Sequence, residues 1–235
     1  MSIETEIRPT TPKFASIGTS QYPVILAVFC GLLLISNIGA TKLIEFGPII
    51  TDGGAFLFPL VYITGDVLSE VYGFHAARKA IFVGFALAIL AALTSWAVQS
   101  SPAATSWPNQ EAFESVLGFV PRIVLASICG YLVGQLLNAY VLVRIKEWTK
   151  EKALWLRLIG STAVGEAADT IVFCTIAFYG VITGGEFLNY VIVGYFYKVL
   201  LEVVLLPITY RVIAVVKKHE PTYGEPESVT AVPAS

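Results

Sequence analysis

The chain has 235 residues, 56% of them hydrophobic and only 14% charged, with a formal net charge of −2 and a mean hydropathy of +0.74. Soluble domains carry about 25% charged residues, so this composition excludes an ordinary water-soluble protein and describes a polytopic membrane protein. It contains no GxxxxGK[ST] phosphate loop, and its two histidines, His75 and His219, cannot build a metal cluster of familiar spacing, so no cofactor or metal is expected.

Residues 1–21 are polar and include Pro9 and Pro12. They are expected to form a disordered cytoplasmic tail rather than a signal peptide, because the apolar run behind them, Tyr22–Thr41, is long enough to span. Further candidate spans are Ala55–Tyr72, Ala80–Val98, Pro121–Val143, Leu158–Tyr179 and Leu188–Val215. The expected fold class is therefore all-α and polytopic, with six transmembrane helices over residues 22–218 and a second disordered cytoplasmic tail over 219–235. Two halves of three spans each would be inverted relative to one another, a frequent transporter plan. Cys30, Cys129 and Cys174 all lie inside apolar runs and read as small buried hydrophobes.

Between the first two spans, Gly47-Pro48 and Asp52-Gly53-Gly54 are turn signals, so Leu43–Gly54 is expected to fold back as a short hairpin or re-entrant piece. Asp52 reads there as a turn former rather than a ligand. In residues 110–120, Phe113, Val116, Leu117 and Val120 share one face, which suits a short interfacial helix. Arg122 and Arg157 stand at span ends and are expected to snorkel to the interface.

Lys and Arg set the orientation. Arg8 and Lys13 precede span one, Arg78 and Lys79 separate spans two and three, Arg144 to Lys152 separate spans four and five, and Lys217 and Lys218 follow span six. The alternate loops 99–120 and 180–187 hold no Lys or Arg. Both termini are thus expected in the cytoplasm, with Trp96 and Trp107 at the outer interface and Trp148 and Trp155 at the inner one.

The polar residues inside the spans bear on function. Span one carries Asn37, span two Asp66 and Glu70, span four Gln135 and Asn138, span five Glu166 and Asp169, and span six Lys198 and Glu202. Asp66 and Glu70, four apart, share a helical face with Tyr62. A charge facing lipid costs about 2.5–3.5 kcal/mol on insertion scales, so these groups are expected to converge on an interior polar cavity. Structural readings stand beside this one. Lys198 and Glu202 would neutralise each other within span six, while Asn37, Gln135 and Asn138 would hydrogen-bond helix to helix.

A carboxylate accepts two parallel N–H bonds, the pattern on the N1–H and N2–H₂ edge of a guanine-type base. Phe56, Phe58, Tyr62 and Tyr72 offer stacking surfaces or ordinary packing. Crowded acids also repel one another, so a proton held by one of them would be a handle for proton coupling.

The segments SNIGATKL (36–43), AFLFPLVYITGDVLSEVYGFHAARKAI (55–81), IGSTAVGEAADTIVFCTIAFYG (159–180) and YKVLLEVVLLPITYRVI (197–213) resemble the vitamin uptake transporter family, and within it the queuosine precursor transporter branch. The resemblance covers roughly residues 22–218. It implies import of a 7-deazaguanine precursor of queuosine, such as 7-cyano-7-deazaguanine, across the bacterial inner membrane. The family's motif acids fall on Asp66, Glu70 and Asp169, with Asn37, Lys42, Lys198 and Glu202 in its other motif segments.

Three further readings stand beside this one: a substrate-binding subunit of an energy-coupling-factor type transporter, whose ATPase this chain does not encode, an intramembrane enzyme, and a structural or assembly membrane protein, which would not need so many buried acids. Against the enzyme stands the lack of a Ser/His or Cys/His constellation. The expected partners are the small-molecule base and the lipid bilayer, with no nucleic acid; a homodimer is compatible with such a chain.

Overall fold

The computed structural model describes residues 14–17, 21–148 and 154–223, together with most side chains within them. The architecture is helical, with one small sheet. Helix α1 runs over Tyr22–Gly39, followed by strands β1 (Leu43–Phe46) and β2 (Ile49–Asp52) and a 3₁₀ turn at Gly53–Phe56. Helices α2 (Phe58–Gln99), α3 (Gln110–Leu117), α4 (Val120–Trp148), α5 (Leu154–Phe178) and α6 (Gly184–His219) follow among the described residues.

Among the described residues, three helical stretches are long and apolar enough to cross a bilayer: Tyr22–Gly39, His75–Gln99 and Gln110–Gly134. A fourth follows if the two arms of α6, Gly184–Leu201 and Val203–His219, form one span across their 41° bend. Pro207 accounts for the bend, since it removes a backbone donor and crowds the carbonyl of Val203 one turn back.

Where the sequence suggested a loop carrying Arg78 and Lys79, α2 is interrupted at one residue only, Gly73, whose φ of 81° and ψ of 173° lie outside the helical region. The chain reverses there. A side chain at Gly65 and one at Gly84 would both meet the ring of Phe29 on α1, at 4.0 and 3.2 Å. On a straight helix those glycines would stand about 28 Å apart. The left-handed φ suits glycine, because a Cβ would crowd the backbone.

Around this reversal lies a core of Tyr22, Phe29, Val67, Leu68, Val71, Tyr72 and Ala76. The Tyr22 hydroxyl donates to the Ala76 carbonyl at 3.1 Å, and the Tyr72 hydroxyl donates to the buried Glu220 at 2.8 Å. The described parts of the two flanks also dock here. Ala15 is buried and its N–H donates to Val71 O at 2.8 Å, while the Ser16 N–H donates to Thr222 Oγ1 at 3.0 Å. The rest of both tails lies outside the described residues.

At the opposite end, β1 and β2 pair antiparallel in the register Leu43↔Asp52 to Phe46↔Ile49, giving the hairpin that the Gly-Pro signal announced. The Asn189 side chain of α6 grips it twice: Oδ1 accepts from Ile50 N–H at 3.3 Å and Nδ2 donates to Pro48 O at 2.9 Å. Arg122 stands at the start of α4, beside the end of α5. It donates to the carbonyls of Ile176 and Tyr179, at 2.6 and 2.5 Å, at the C-terminus of α5, where orphan carbonyls favour a cation. The side chains of Arg157, Trp148 and Trp155 lie outside the described set.

Candidate functional site

Between the helices lies a cavity of about 390 Å³, walled by α1, β2, the 3₁₀ turn, α2, α4, α5 and α6. Such a volume falls within the range of small-molecule sites. Its polar wall starts from the spacing of α2. Phe58, Tyr62 and Asp66 recur every four residues and so stand one above another on a single face. Each meets a different environment.

The ring of Phe58 lies under the ammonium of Lys198, 4.7 Å from its centroid, and packs on Tyr62 with centroids 4.3 Å apart. The Tyr62 hydroxyl donates to Oε1 of Glu166 on α5. Asp66 lines the cavity with its side chain exposed, and no hydrogen bond or ion pair occupies it among the described residues.

On the facing wall, Lys198 of α6 donates to Oδ2 of Asp169 and stands 3.6 Å from Oε2 of Glu166. The side chains of Lys198, Glu166 and Asp169 are only 14%, 12% and 18% exposed. The ammonium is thus shared between two carboxylates and a ring face, an arrangement that makes a partly buried cation tolerable.

Asp169 is brought forward by a close helix approach. A Cβ at Gly130 would lie 2.7 Å from Asp169 Oδ1, and one at Gly134 would lie 2.9 Å from both Asp169 Cβ and Gly165 O. Glycines four apart on α4 therefore form a groove that receives this turn of α5, the small-xxx-small contact of membrane helices.

Asn37 is buried on α1 and lines the same cavity, accepting from the Ser127 hydroxyl of α4 at 3.1 Å. Asn37, Asp66, Glu166, Asp169 and Lys198 thus share one hollow. Glu70 does not. Although it stands four residues from Asp66, it is 58% exposed and pairs with Lys217 of α6 at 2.6 Å, beyond the cavity wall. The side chains of Gln135, Asn138 and Glu202 lie outside the described residues.

Asp52, which reads from sequence as a turn former only, and Tyr197, which the sequence did not single out, complete the hairpin end of the cavity. Asp52 accepts from Gly54 N–H at 2.8 Å, as a turn former should, and also from the Tyr190 hydroxyl at 2.5 Å while lining the hollow. Tyr197 donates to Ala55 O at 2.9 Å and so ties α6 to the 3₁₀ turn. Only the folding back of β2 over α6 brings these residues together, and no local pattern signals it. Among the described residues, no group of three or more His, Cys, Asp or Glu is arranged to hold a metal ion.

The chain is similar to known proteins over most of its length. A family model described as "Putative vitamin uptake transporter" matches residues 52–212. The "Probable queuosine precursor transporter" of Bacillus subtilis (strain 168) is 31% identical over 176 residues, 74% of this chain and 77% of that protein. The "Queuosine precursor transporter" of Escherichia coli (strain K12) is 31% identical over 166 residues, 69% of this chain and 72% of that one. No solved structure matches the chain. The matched region begins at Asp52, the last residue of β2, and contains the 3₁₀ turn, all of α2, α3, α4 and α5 and most of α6, and hence most walls of the cavity. The chain is a membrane protein and belongs to the vitamin uptake transporter family.

Proposed function

We propose that this protein imports a queuosine precursor, 7-cyano-7-deazaguanine or a related 7-deazaguanine base, across the bacterial inner membrane for queuosine salvage. The names of the relatives from B. subtilis and E. coli support the substrate class. The observation that carries the reading is Asp66, a carboxylate with no hydrogen bond or ion pair among the described residues, facing a hollow of the right size. It accepts the N1–H and N2–H₂ edge of the base through two parallel charge-assisted bonds. Phe29, Phe85 and Tyr131 line the same hollow and offer faces for the flat ring. Asn37, Asp169 and Lys198 supply the remaining polar contacts around it.

In this reading the chain crosses the membrane six times, with both termini in the cytoplasm. The start of α1, the Gly73 reversal and the end of α6 meet at one end of the molecule, where Arg78, Lys79, Lys217 and Lys218 also gather. The hairpin then covers the outer mouth. Spans two and five, which meet through Tyr62 and Glu166, would be equivalent elements of two inverted halves. The base leaves chemically unchanged, so the chain acts as a carrier and not as an enzyme.

The test is a strain that cannot make the precursor, supplied with the base externally. Queuosine should appear in its tRNA when this protein is present and vanish when it is deleted. Unchanged modification after deletion, in a strain with no second importer, contradicts the proposal.

A further inference from the structure

We infer that Glu166 is the proton-coupling site of the carrier: its Oε2 takes up one proton when the base is bound from outside and releases it on the cytoplasmic side. This rests on the transport reading above and goes beyond it by naming the energy source and the residue that transmits it.

The argument begins with an imbalance of charge. Lys198 faces both Asp169 and Glu166, but its hydrogen bond goes to Asp169. At 3.6 Å from Oε2 the ammonium pairs with Glu166 yet stands beyond hydrogen-bond length. Oε1 is taken by the Tyr62 hydroxyl, while Oε2 is buried and accepts no hydrogen bond among the described residues. With both acids ionised the trio carries one net negative charge behind a largely buried wall, which is costly. A single proton neutralises it. Oε2 is the atom that can take this proton without disturbing either the Lys198–Asp169 bond or the Tyr62 bond.

The other titratable groups around the cavity reinforce the choice. Asp66 on α2 and Asp52 on β2 add negative charge, Cys174 shares α5, and Tyr131, Tyr190 and Tyr197 face inward from α4 and α6. Lys198 is the one Lys or Arg lining the cavity among the described residues. That ammonium beside Oε2 also occupies and repels from the place that a sodium ion would need, whereas a proton requires no coordination shell. Tyr62 links the proton to the substrate. Its hydroxyl holds Glu166, its ring holds Phe58, and it stands one helical turn from Asp66. A base seated on Asp66 therefore alters the wall that fixes Glu166, and such coupling is reciprocal.

The test uses the purified full chain in liposomes with a radiolabelled 7-deazaguanine base. Exchange of base between the two sides without any gradient reports the carrier itself. An outside-acid pH gradient should then drive net accumulation, limited to about tenfold per pH unit for one proton per base. A protonophore should abolish it, and a sodium gradient should have no effect. In Glu166→Gln the ratio of uptake with and without the pH gradient should fall to one, whatever its absolute rate. In Tyr62→Phe the external pH of half-maximal stimulation should shift. Wild-type exchange with no response to the pH gradient, accumulation driven by sodium instead, or a gradient response surviving in Glu166→Gln would each overturn the inference while leaving carriage of the base intact. Absence of exchange in the wild type would overturn the transport reading itself, and this inference with it.

Discussion

Lys217 Nζ lies 2.6 Å from Glu70 Oε1 and holds that carboxylate outside the cavity in which Asp66, one helical turn earlier, has no hydrogen-bond or ion-pair partner among the described residues. Two acids on one helical face thus have separate surroundings. The ion pair is more than half exposed on the Glu70 side, so its contribution to stability is about 0–1 kcal/mol. We predict that Glu70→Gln keeps most of the uptake activity. Asp66→Asn removes a charge-assisted contact of about 1.5–3 kcal/mol and should lower uptake at least tenfold at equal membrane abundance. Uptake of labelled base by cells producing each variant checks both.

Lys198 is held by two carboxylates, so removing it leaves both without their shared cation. Lys198→Met should destabilise the protein by about 3–5 kcal/mol, the usual cost of breaking a buried pair. Adding Asp169→Asn to that variant removes one of the stranded charges and should recover part of the loss. Thermal unfolding of the purified single and double variants in detergent measures the recovery, and a double variant no more stable than Lys198→Met would contradict the pairing.

The approach of α4 to α5 depends on Gly134, where a Cβ would lie 2.9 Å from Asp169 Cβ. We predict that Gly134→Leu forces the helices apart, costs about 1–3 kcal/mol and impairs uptake by displacing Asp169. At Gly31 a Cβ meets nothing within 4 Å, so Gly31→Leu is the matched control and should melt like the wild type.

Asn189 bonds the hairpin turn at Pro48 O and strand β2 at Ile50 N–H. Asn189→Ala removes two bonds worth about 0.5–1.5 kcal/mol each. Hydrogen exchange at Ile50 should accelerate about tenfold, with little change in the core around Val71, which is fully buried.

Much of this arrangement is legible from local pattern. Hydropathy places α1 almost to the residue, Gly47-Pro48 and Asp52-Gly53 mark the hairpin, and the cost of charge in lipid points Asp66, Glu166, Asp169 and Lys198 inward. What is not legible depends on partners distant in sequence. Glu70 leaves the cavity because Lys217, 147 positions later, returns beside it. Asp52 reads as a turn former because its bond to Gly54 is local, whereas Tyr190 is 138 residues away. The capping of α5 by Arg122 is not legible, since Ile176 and Tyr179 offer carbonyls only once α4 and α5 have paired. A reversal after Tyr72 is legible from the break between spans two and three, whereas its compression into the single residue Gly73, with Arg78 and Lys79 kept helical, shows only in the positive φ.

The most direct measurement is equilibrium binding of a 7-deazaguanine base to the purified chain, beside the analogue that lacks the exocyclic N2 amine, in wild type and Asp66→Asn. The account predicts saturable binding by the wild type, at least tenfold weaker binding of the analogue, and loss of that discrimination in the variant. Equal affinity of Asp66→Asn and wild type for the parent base would contradict it.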